Sequence, residues 1–173
     1  MELSHVVGAD KPESALLMLH GYDSNGADML SFGRQLSAFL PHTLFVAPDA
    51  PDSIGPDAYV WYDLFAEDGE VSPLAQEKYC RQLQDICLKK SLFINELIDK
   101  IKVKYLLKNH QIGLLGFSQG GLLALVTGLT LAPPLACVVA SSSIPLVDGG
   151  PVDIDQEKVA VAGLLEAHDA YIG

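Results

Sequence analysis

Apolar and polar residues alternate along this chain in two distinct patterns. Short apolar runs bounded by polar or turn-forming residues predict strands, at 3–7, 14–19, 43–47, 111–115, 135–141 and 158–165. Longer segments predict helices, amphipathic at 27–40 and 73–102 and apolar at 122–131. Residues 48–73, between the third strand and the long helix, are rich in proline and predict an irregular loop of the kind that often carries function.

The order of these elements predicts the fold class. Two strands come first, helices and strands then alternate, and a last strand follows a loop, as in an α/β protein with a doubly wound, mostly parallel sheet. No repeat or linker divides the chain, so residues 1–173 are predicted to form a single domain. Residues 112–147 contain no Asp, Glu, Lys or Arg, but the polar turn at 118–121 and Pro133-Pro134 divide them into pieces too short to span a membrane.

Composition and charge narrow the classes of partner. The chain is 49% hydrophobic and 19% charged, which is typical of a globular protein, and its net charge of -11 argues against nucleic acid or an anionic membrane as partner. Its three cysteines show no spacing suited to zinc, so no metal site is predicted. Free thiols fit a reducing compartment, and the N-terminus does not resemble a signal peptide, so a cytoplasmic protein is expected.

The segment Gly116-Phe117-Ser118-Gln119-Gly120 lies between a predicted strand and a predicted helix. A strand that turns at once into a helix passes through a strained residue, and glycines two positions before and after it remove side chains that would clash. The Ser118 hydroxyl would then stand at the top of the sheet, above the positive end of the new helix, as a nucleophile requires. The alternative interpretation is an ordinary turn serine.

A serine nucleophile needs a base, an acid that orients the base, and hydrogen-bond donors for the oxyanion. The backbone N–H of Gln119 at the helix start is one predicted donor. The other is assigned to the N–H of Tyr22, in the loop after an earlier strand, where His20-Gly21 lets the backbone approach closely. The His20 side chain is expected to hold that loop by hydrogen bonds.

Four segments together resemble the carboxylesterase/phospholipase family of α/β-hydrolases, to which acyl-protein thioesterases belong. They are L-H-G-Y-D-S-N-G-A-D-M, A-P-D-A-P, W-Y-D-L and G-F-S-Q-G-G, and they stand in the family's order between about residues 14 and 145. The resemblance implies an α/β-hydrolase fold and hydrolysis of carboxylic esters or thioesters through an acyl-enzyme, without metal or cofactor. The expected substrate is a small or medium acyl ester, a lysophospholipid or a thioester.

The acid and the base are where the chain departs from the family. The family's aspartate segment corresponds to residues 164–173, where Asp169 could serve if the loop is shorter, and His168 matches a histidine that is structural in the family. The family's base histidine follows one more strand, and none of the five histidines here follows the last predicted strand. The chain is therefore expected to lack the last strand and helix of the fold, leaving surfaces that further residues or a second copy, as a homodimer, could cover.

Two expectations concern the long loop and the missing base. Trp61 and Tyr62 are assigned to substrate binding, with packing under the loop as the alternative, and Tyr59 and Phe65 are candidates to line an acyl pocket. A protein without its base could instead be a non-catalytic binding module, since loss of a triad histidine can cost about a millionfold in turnover.

Overall fold

The structure, a computed structural model, describes residues 3–63, 73–144 and 161–164. Within them the helices are α1 (Gly26–Ser37), α2 (Pro73–Tyr105) and α3 (Gln119–Thr130). The strands are β1 (Val6–Gly8), β2 (Ser14–Leu19), β3 (Thr43–Val46), β4 (Asp52–Gly55), β5 (Ala58–Val60), β6 (Ile112–Phe117), β7 (Cys137–Ser141) and β8 (Val161–Leu164).

Six strands form one sheet in the order β1-β3-β2-β6-β7-β8. Only β1 is antiparallel to its neighbour in this sheet, and the other four pairs are parallel, as predicted. From β2 the next strand in sequence, β3, is added on one side of the sheet, and from β6 the next strand, β7, is added on the other side. The order therefore reverses between β2 and β6, and the crevice outside the carboxyl ends of these strands is where sheets of this type bind ligands.

Helices cover both faces of the sheet because side chains alternate along each buried strand. In β2, Leu17 and Leu19 belong to the large core cluster, which includes residues of α2 and α3, whereas Met18 packs with Leu30 of α1. In β3 the same alternation places Phe45 on the α1 side. The sheet is thus doubly wound, in agreement with the predicted fold class.

The predicted irregular segment contains a small hairpin that the sequence analysis missed. Strands β4 and β5 pair antiparallel with a register shift between Ser53 and Gly55, and Tyr59 also bridges to Ser24. The residues of β4 are mostly exposed, so its sequence lacks the alternation of apolar and polar residues that predicts a strand. The hairpin fastens this part of the chain to the loop that precedes α1.

In the part of the chain that the structure describes, no helix combines the length and the apolar character needed to cross a membrane. The longest, α2, is 33 residues but carries charged side chains along its length.

Candidate active site

Ser118 occupies the single position between β6 and α3, with φ 52° and ψ -115°. A positive φ is strained for a residue with a β-carbon, and such strain persists only where the surroundings impose it. Two backbone hydrogen bonds hold the turn: the Ser118 N–H donates to the Ser141 carbonyl at 2.8 Å, and the Ser118 carbonyl accepts from the Gly121 N–H at 2.9 Å. The geometry is that of a nucleophile elbow.

The two glycines that flank Ser118 are required by close backbone contacts. A β-carbon at Gly116 would overlap the carbonyl oxygen of Gly120. A β-carbon at Gly120 would lie 2.5 Å from the carbonyl oxygens of both Leu19 and His20. The start of α3 therefore packs directly on the end of β2, which brings the loop after β2 beside the serine.

Gly21, in that loop, lies beside Ser118. Because Leu19 pairs with Gly116 in the sheet, residues 20 and 21 continue alongside Phe117 and Ser118. A β-carbon at Gly21 would lie 3.4 Å from the Ser118 β-carbon and 3.2 Å from Cδ1 of Phe117. This proximity places the backbone at Tyr22, whose side chain is exposed, next to the candidate nucleophile.

The predicted oxyanion donors are the N–H groups of Tyr22 and Gln119. Across the described residues, neither N–H donates in any hydrogen bond outside the helices and strands. Gln119 begins α3, where the first N–H groups of a helix have no partner within it and the helix dipole favours negative charge. The two amides can therefore donate hydrogen bonds to a developing oxyanion without first breaking other bonds.

His20 is buried behind this loop, with 1% of its surface exposed. Its Nε2 accepts the Ala50 N–H at 3.0 Å, and its Nδ1 lies 2.7 Å from the Gly21 carbonyl oxygen. Burial lowers the pKa of the imidazole, against a smaller raising effect of Gly21 and the carboxylates of Asp49 and Asp28. The ring is therefore neutral and fixes the loop, as expected from the sequence.

Trp61 and Tyr62 are buried and hold the start of α3 through hydrogen bonds with Gln119, an arrangement that we call the clamp. The Gln119 side chain accepts the Trp61 N–H through Oε1 at 2.9 Å and donates through Nε2 to the Tyr62 carbonyl at 2.6 Å. The Tyr62 hydroxyl donates to the Gln119 carbonyl at 3.1 Å, and burial raises its pKa so that it keeps its proton. The Trp61 Nε1–H donates to the His20 carbonyl at 2.8 Å.

These two side chains were assigned to substrate binding, with packing under the loop as the alternative. Trp61 is 1% exposed and Tyr62 2% exposed, so both pack in the core and support the site from beneath. Contact of either residue with a substrate stays a prediction. The structural role of the Gln119 side chain was missed, because its partners lie 57 and 58 positions away in sequence.

Asp49, in the A-P-D-A-P segment, contacts the start of α1. Its Oδ1 accepts the Gly26 N–H at 2.8 Å, at the first residue of α1, and its Oδ2 lies 3.1 Å from Nε2 of His5. A β-carbon at Gly26 would overlap the Ala47 carbonyl oxygen, so only glycine fits there. Asp49 thus binds the first amide of α1 and the His5 ring, which is a structural role.

The Ser118 hydroxyl has no hydrogen-bond partner among residues 3–63, 73–144 and 161–164. His20 uses both ring nitrogens elsewhere, and His5 faces Asp49. His110, at the amino end of β6, is separated from Ser118 by the length of that six-residue strand, about 20 Å. The proposed acid Asp169, together with His168 and Phe65, lies outside the described residues, so the acid assignment stays a prediction.

Within the same described ranges, no group of three or more His, Cys, Asp or Glu side chains could hold a metal ion. The described cysteines, Cys80, Cys87 and Cys137, are free thiols. Burial raises the pKa of all three, that of Cys87 to about 12, so none is an activated thiolate.

The elbow, the switch point and the doubly wound sheet define an α/β-hydrolase, and comparison with known proteins gives the family. The profile of the phospholipase/carboxylesterase family matches residues 2–150. The chain therefore belongs to the phospholipase/carboxylesterase family, as the motifs indicated.

Two relatives carry the same name, acyl-protein thioesterase 1. The protein from Mycosarcoma maydis is 32% identical over 144 residues, which are 79% of this chain and 60% of that protein. The protein from Saccharomyces cerevisiae is 29% identical over 143 residues, 78% of this chain and 59% of that protein. The chain thus spans about three fifths of the length of these curated relatives.

Solved structures agree on the fold. Esterase PE8 is 27% identical, with a TM-score of 0.67 over 91% of this chain and 69% of that chain. The carboxylesterase from Mesorhizobium loti has a TM-score of 0.62 at 18% identity, over 84% of this chain and 63% of that chain, and shows the shared fold alone.

Proposed function

We propose that this chain carries the nucleophile and the oxyanion site of a serine hydrolase that cleaves carboxylic esters or thioesters. The single observation that supports it most is the strained turn that places Ser118 beside Gly21. Strain at a residue whose hydroxyl bonds to nothing in the described structure has no structural benefit, and it is typical of a catalytic position. Membership of the phospholipase/carboxylesterase family supports the same reaction.

In the proposed reaction, the Ser118 Oγ attacks the carbonyl carbon of the ester while its proton passes to a general base. The carbonyl oxygen becomes negative and is bound by the N–H groups of Tyr22 and Gln119, an interaction worth about 3–4 kcal/mol of barrier per donor. The tetrahedral intermediate then expels the alcohol or thiol and leaves an acyl-serine. Water attacks this acyl-enzyme, releases the carboxylic acid and restores the hydroxyl.

The proposed substrate class rests on the names of the relatives and of the family. Both relatives are named acyl-protein thioesterases, and the family name includes phospholipases, so lipid-derived acyl esters and acyl-protein thioesters are the proposed substrates. No cofactor enters this chemistry. Asp169 remains the proposed orienting acid, and a cytoplasmic location remains the proposal that fits the free thiols.

Hydrolysis of p-nitrophenyl butyrate tests the proposal directly. Wild type should release p-nitrophenol well above the rate of Ser118→Ala, whereas Ser31→Ala, which changes an exposed serine on α1, should match wild type. A fluorophosphonate probe, which loses fluoride as the serine oxygen bonds to phosphorus, should label wild type at residue 118 by peptide mass. Equal hydrolysis by wild type and Ser118→Ala, without labelling, would contradict the esterase proposal.

That negative result would favour the second candidate, a binding module that retains the oxyanion site without turnover. The observation behind it concerns the histidines in the described residues. His5 and His20 are bonded to other groups, and His42 and His110 precede β3 and β6, at the opposite end of these parallel strands from Ser118. A module of this kind should still bind an acyl product such as butyrate at the site, measurable by shifts of the Tyr22 and Gln119 amide signals in NMR spectra. Ser118→Ala should leave that binding largely intact.

A further inference from the structure

His20 makes two hydrogen bonds of opposite polarity. Its Nε2 faces the Ala50 N–H at 3.0 Å, and a backbone N–H can only donate. Its Nδ1 faces the Gly21 carbonyl oxygen at 2.7 Å, and a carbonyl can only accept. A neutral imidazole satisfies both at once in one tautomer, with the proton on Nδ1 and the lone pair on Nε2.

The Gly21 carbonyl belongs to the same peptide unit as the Tyr22 N–H. In a planar trans peptide, the C=O and N–H groups point in opposite directions. Anchoring the carbonyl on the His20 side therefore turns the Tyr22 N–H away from the imidazole. A hydrogen bond accepted by a carbonyl also polarises its peptide and strengthens the N–H as a donor.

A second bond fixes the preceding peptide. The Trp61 Nε1–H donates to the His20 carbonyl at 2.8 Å, and the Trp61 and His20 rings lie 5.0 Å apart between centroids. Gly120 packs against the same carbonyl, so the backbone at residue 20 has no room to rotate. The His20–Gly21 peptide is therefore held by Trp61 and Gly120, whereas the next peptide, Gly21–Tyr22, is held by the His20 side chain.

We infer that His20 is a positioning residue of the oxyanion site: its Nδ1–H holds the Gly21–Tyr22 peptide so that the Tyr22 N–H is presented to an oxyanion formed at Ser118. The inference rests on the proposed function for its consequence in catalysis. The tautomer and the peptide orientation can be measured without any turnover.

Two substitutions separate the two hydrogen bonds. In His20→Asn the side-chain amide nitrogen takes the place of Nδ1, so the donor to the Gly21 carbonyl is kept and the acceptor for Ala50 is lost. In His20→Gln the longer side chain puts its carbonyl oxygen near the place of Nε2, so the acceptor for Ala50 is kept and the donor to Gly21 is lost. Each variant leaves one buried backbone group without its His20 partner, the Ala50 N–H in His20→Asn and the Gly21 carbonyl in His20→Gln, so each is a matched control for the other.

In the esterase assay, His20→Gln should lose about 100-fold in kcat with little change in KM, because a misplaced oxyanion donor affects the transition state. His20→Asn should keep most of the wild-type kcat, within about tenfold, because it loses only the hydrogen bond to the Ala50 N–H, which lies away from the oxyanion donor. A purely structural role would lower both variants equally. Equal kcat losses in the two variants would therefore overturn the inference.

NMR gives the test that does not depend on turnover. In the wild-type chain labelled with ¹⁵N-histidine, the His20 ring should show a protonated Nδ1 and an unprotonated Nε2 at neutral pH. The Tyr22 amide signal should move in His20→Gln and stay near its wild-type position in His20→Asn. Protonation at Nε2 in the wild type, or equal displacement of the amide in both variants, would overturn the inference even if the chain proves to have no esterase activity.

Discussion

The two sides of Ser118 are built very differently. On the amide side, the side chains of His20 and Gln119 are buried and each has its hydrogen-bonding atoms paired with backbone groups. On the hydroxyl side, the Ser118 Oγ has no partner in the described structure, and the neighbouring Phe117 is 48% exposed. The side chains that support the proposed oxyanion site are therefore part of the folded core, whereas the hydroxyl of the proposed nucleophile makes no hydrogen bond within the described residues.

The difference follows from what each function demands. Backbone amides can stabilise charge only if their peptides are held rigidly before the reaction, and buried hydrogen bonds supply that rigidity. A nucleophile must instead keep its oxygen free for substrate and base. Substitutions on the amide side should therefore lower the free energy of unfolding, and substitutions of the serine should not.

The largest effect is expected for Gly120→Ala. The new β-carbon would lie 2.5 Å from two backbone carbonyls of residues 19 and 20, which cannot move without distorting β2. The free energy of unfolding, measured in urea, should fall by about 3 kcal/mol, at the upper end of overpacking costs. Gly55→Ala is the control, because its β-carbon would meet only Ala58 at 3.6 Å, and it should stay within about 0.5 kcal/mol of wild type.

Gln119→Leu should have the next largest effect. It keeps the volume roughly but leaves the Trp61 N–H and the Tyr62 carbonyl without the Gln119 partners they have now. Two orphaned buried groups should lower the free energy of unfolding by about 2 kcal/mol or more. Gln35→Leu on the exposed face of α1 provides the comparison and should be close to neutral; equal losses in the two variants would show that the clamp adds no stability.

Ser118→Gly, unlike the two substitutions above, should leave the stability unchanged or raise it. Glycine adopts a φ of 52° without strain, and relief of about 1–3 kcal/mol should match or exceed the entropy cost of glycine in the unfolded chain. Thermal unfolding should therefore occur at the wild-type temperature or above it, while esterase activity is lost. Ser31→Gly, in the middle of α1, should instead lower stability by roughly 0.5 kcal/mol. A marked loss of stability in Ser118→Gly would contradict the view that the serine is under strain.

The smallest effect is a pH dependence that comes from His20. Burial lowers its pKa from the ordinary 6.5, so below that pH the unfolded chain binds more protons than the folded one. The contribution of the neutral ring is complete above pH 6.5 and is lost as the pH falls through the lower pKa of the folded state. Asp49 and Asp28, which favour the charged ring, reduce the shift.

His20→Asn isolates this contribution because all other titrating groups are shared with the wild type. Paired unfolding curves at pH 7.5 and pH 5 should show the wild type losing more stability than the variant between the two values. A stability difference between the two proteins that is the same at both pH values would disprove the assignment.

Sequence patterns located most of the framework. The bounds of β2, the start of α2 and the turn between β6 and α3 agree with the structure, because each depends on local apolar spacing or on glycine and proline at turns. The hairpin of β4 and β5 was missed because its first strand is mostly exposed and it forms by pairing with its neighbour and with the loop at Ser24.

At the candidate site, the sequence indicated the type of chemistry that we propose, and the tertiary structure decided how side chains support it. Glycines at 116 and 120 around Ser118, and the His20-Gly21 pair, predicted the elbow and the proposed oxyanion loop because each motif is short and can be read in the sequence, although the contacts that require Gly120 and Gly21 are with distant residues. The roles of His20, Trp61 and Gln119 were set by the return of distant segments: Trp61 could have faced substrate or core, and only packing placed it in the core. A hydrogen bond between residues 58 positions apart has no signature in either segment alone, which is why folding, and not the order of residues, decided what supports the oxyanion site.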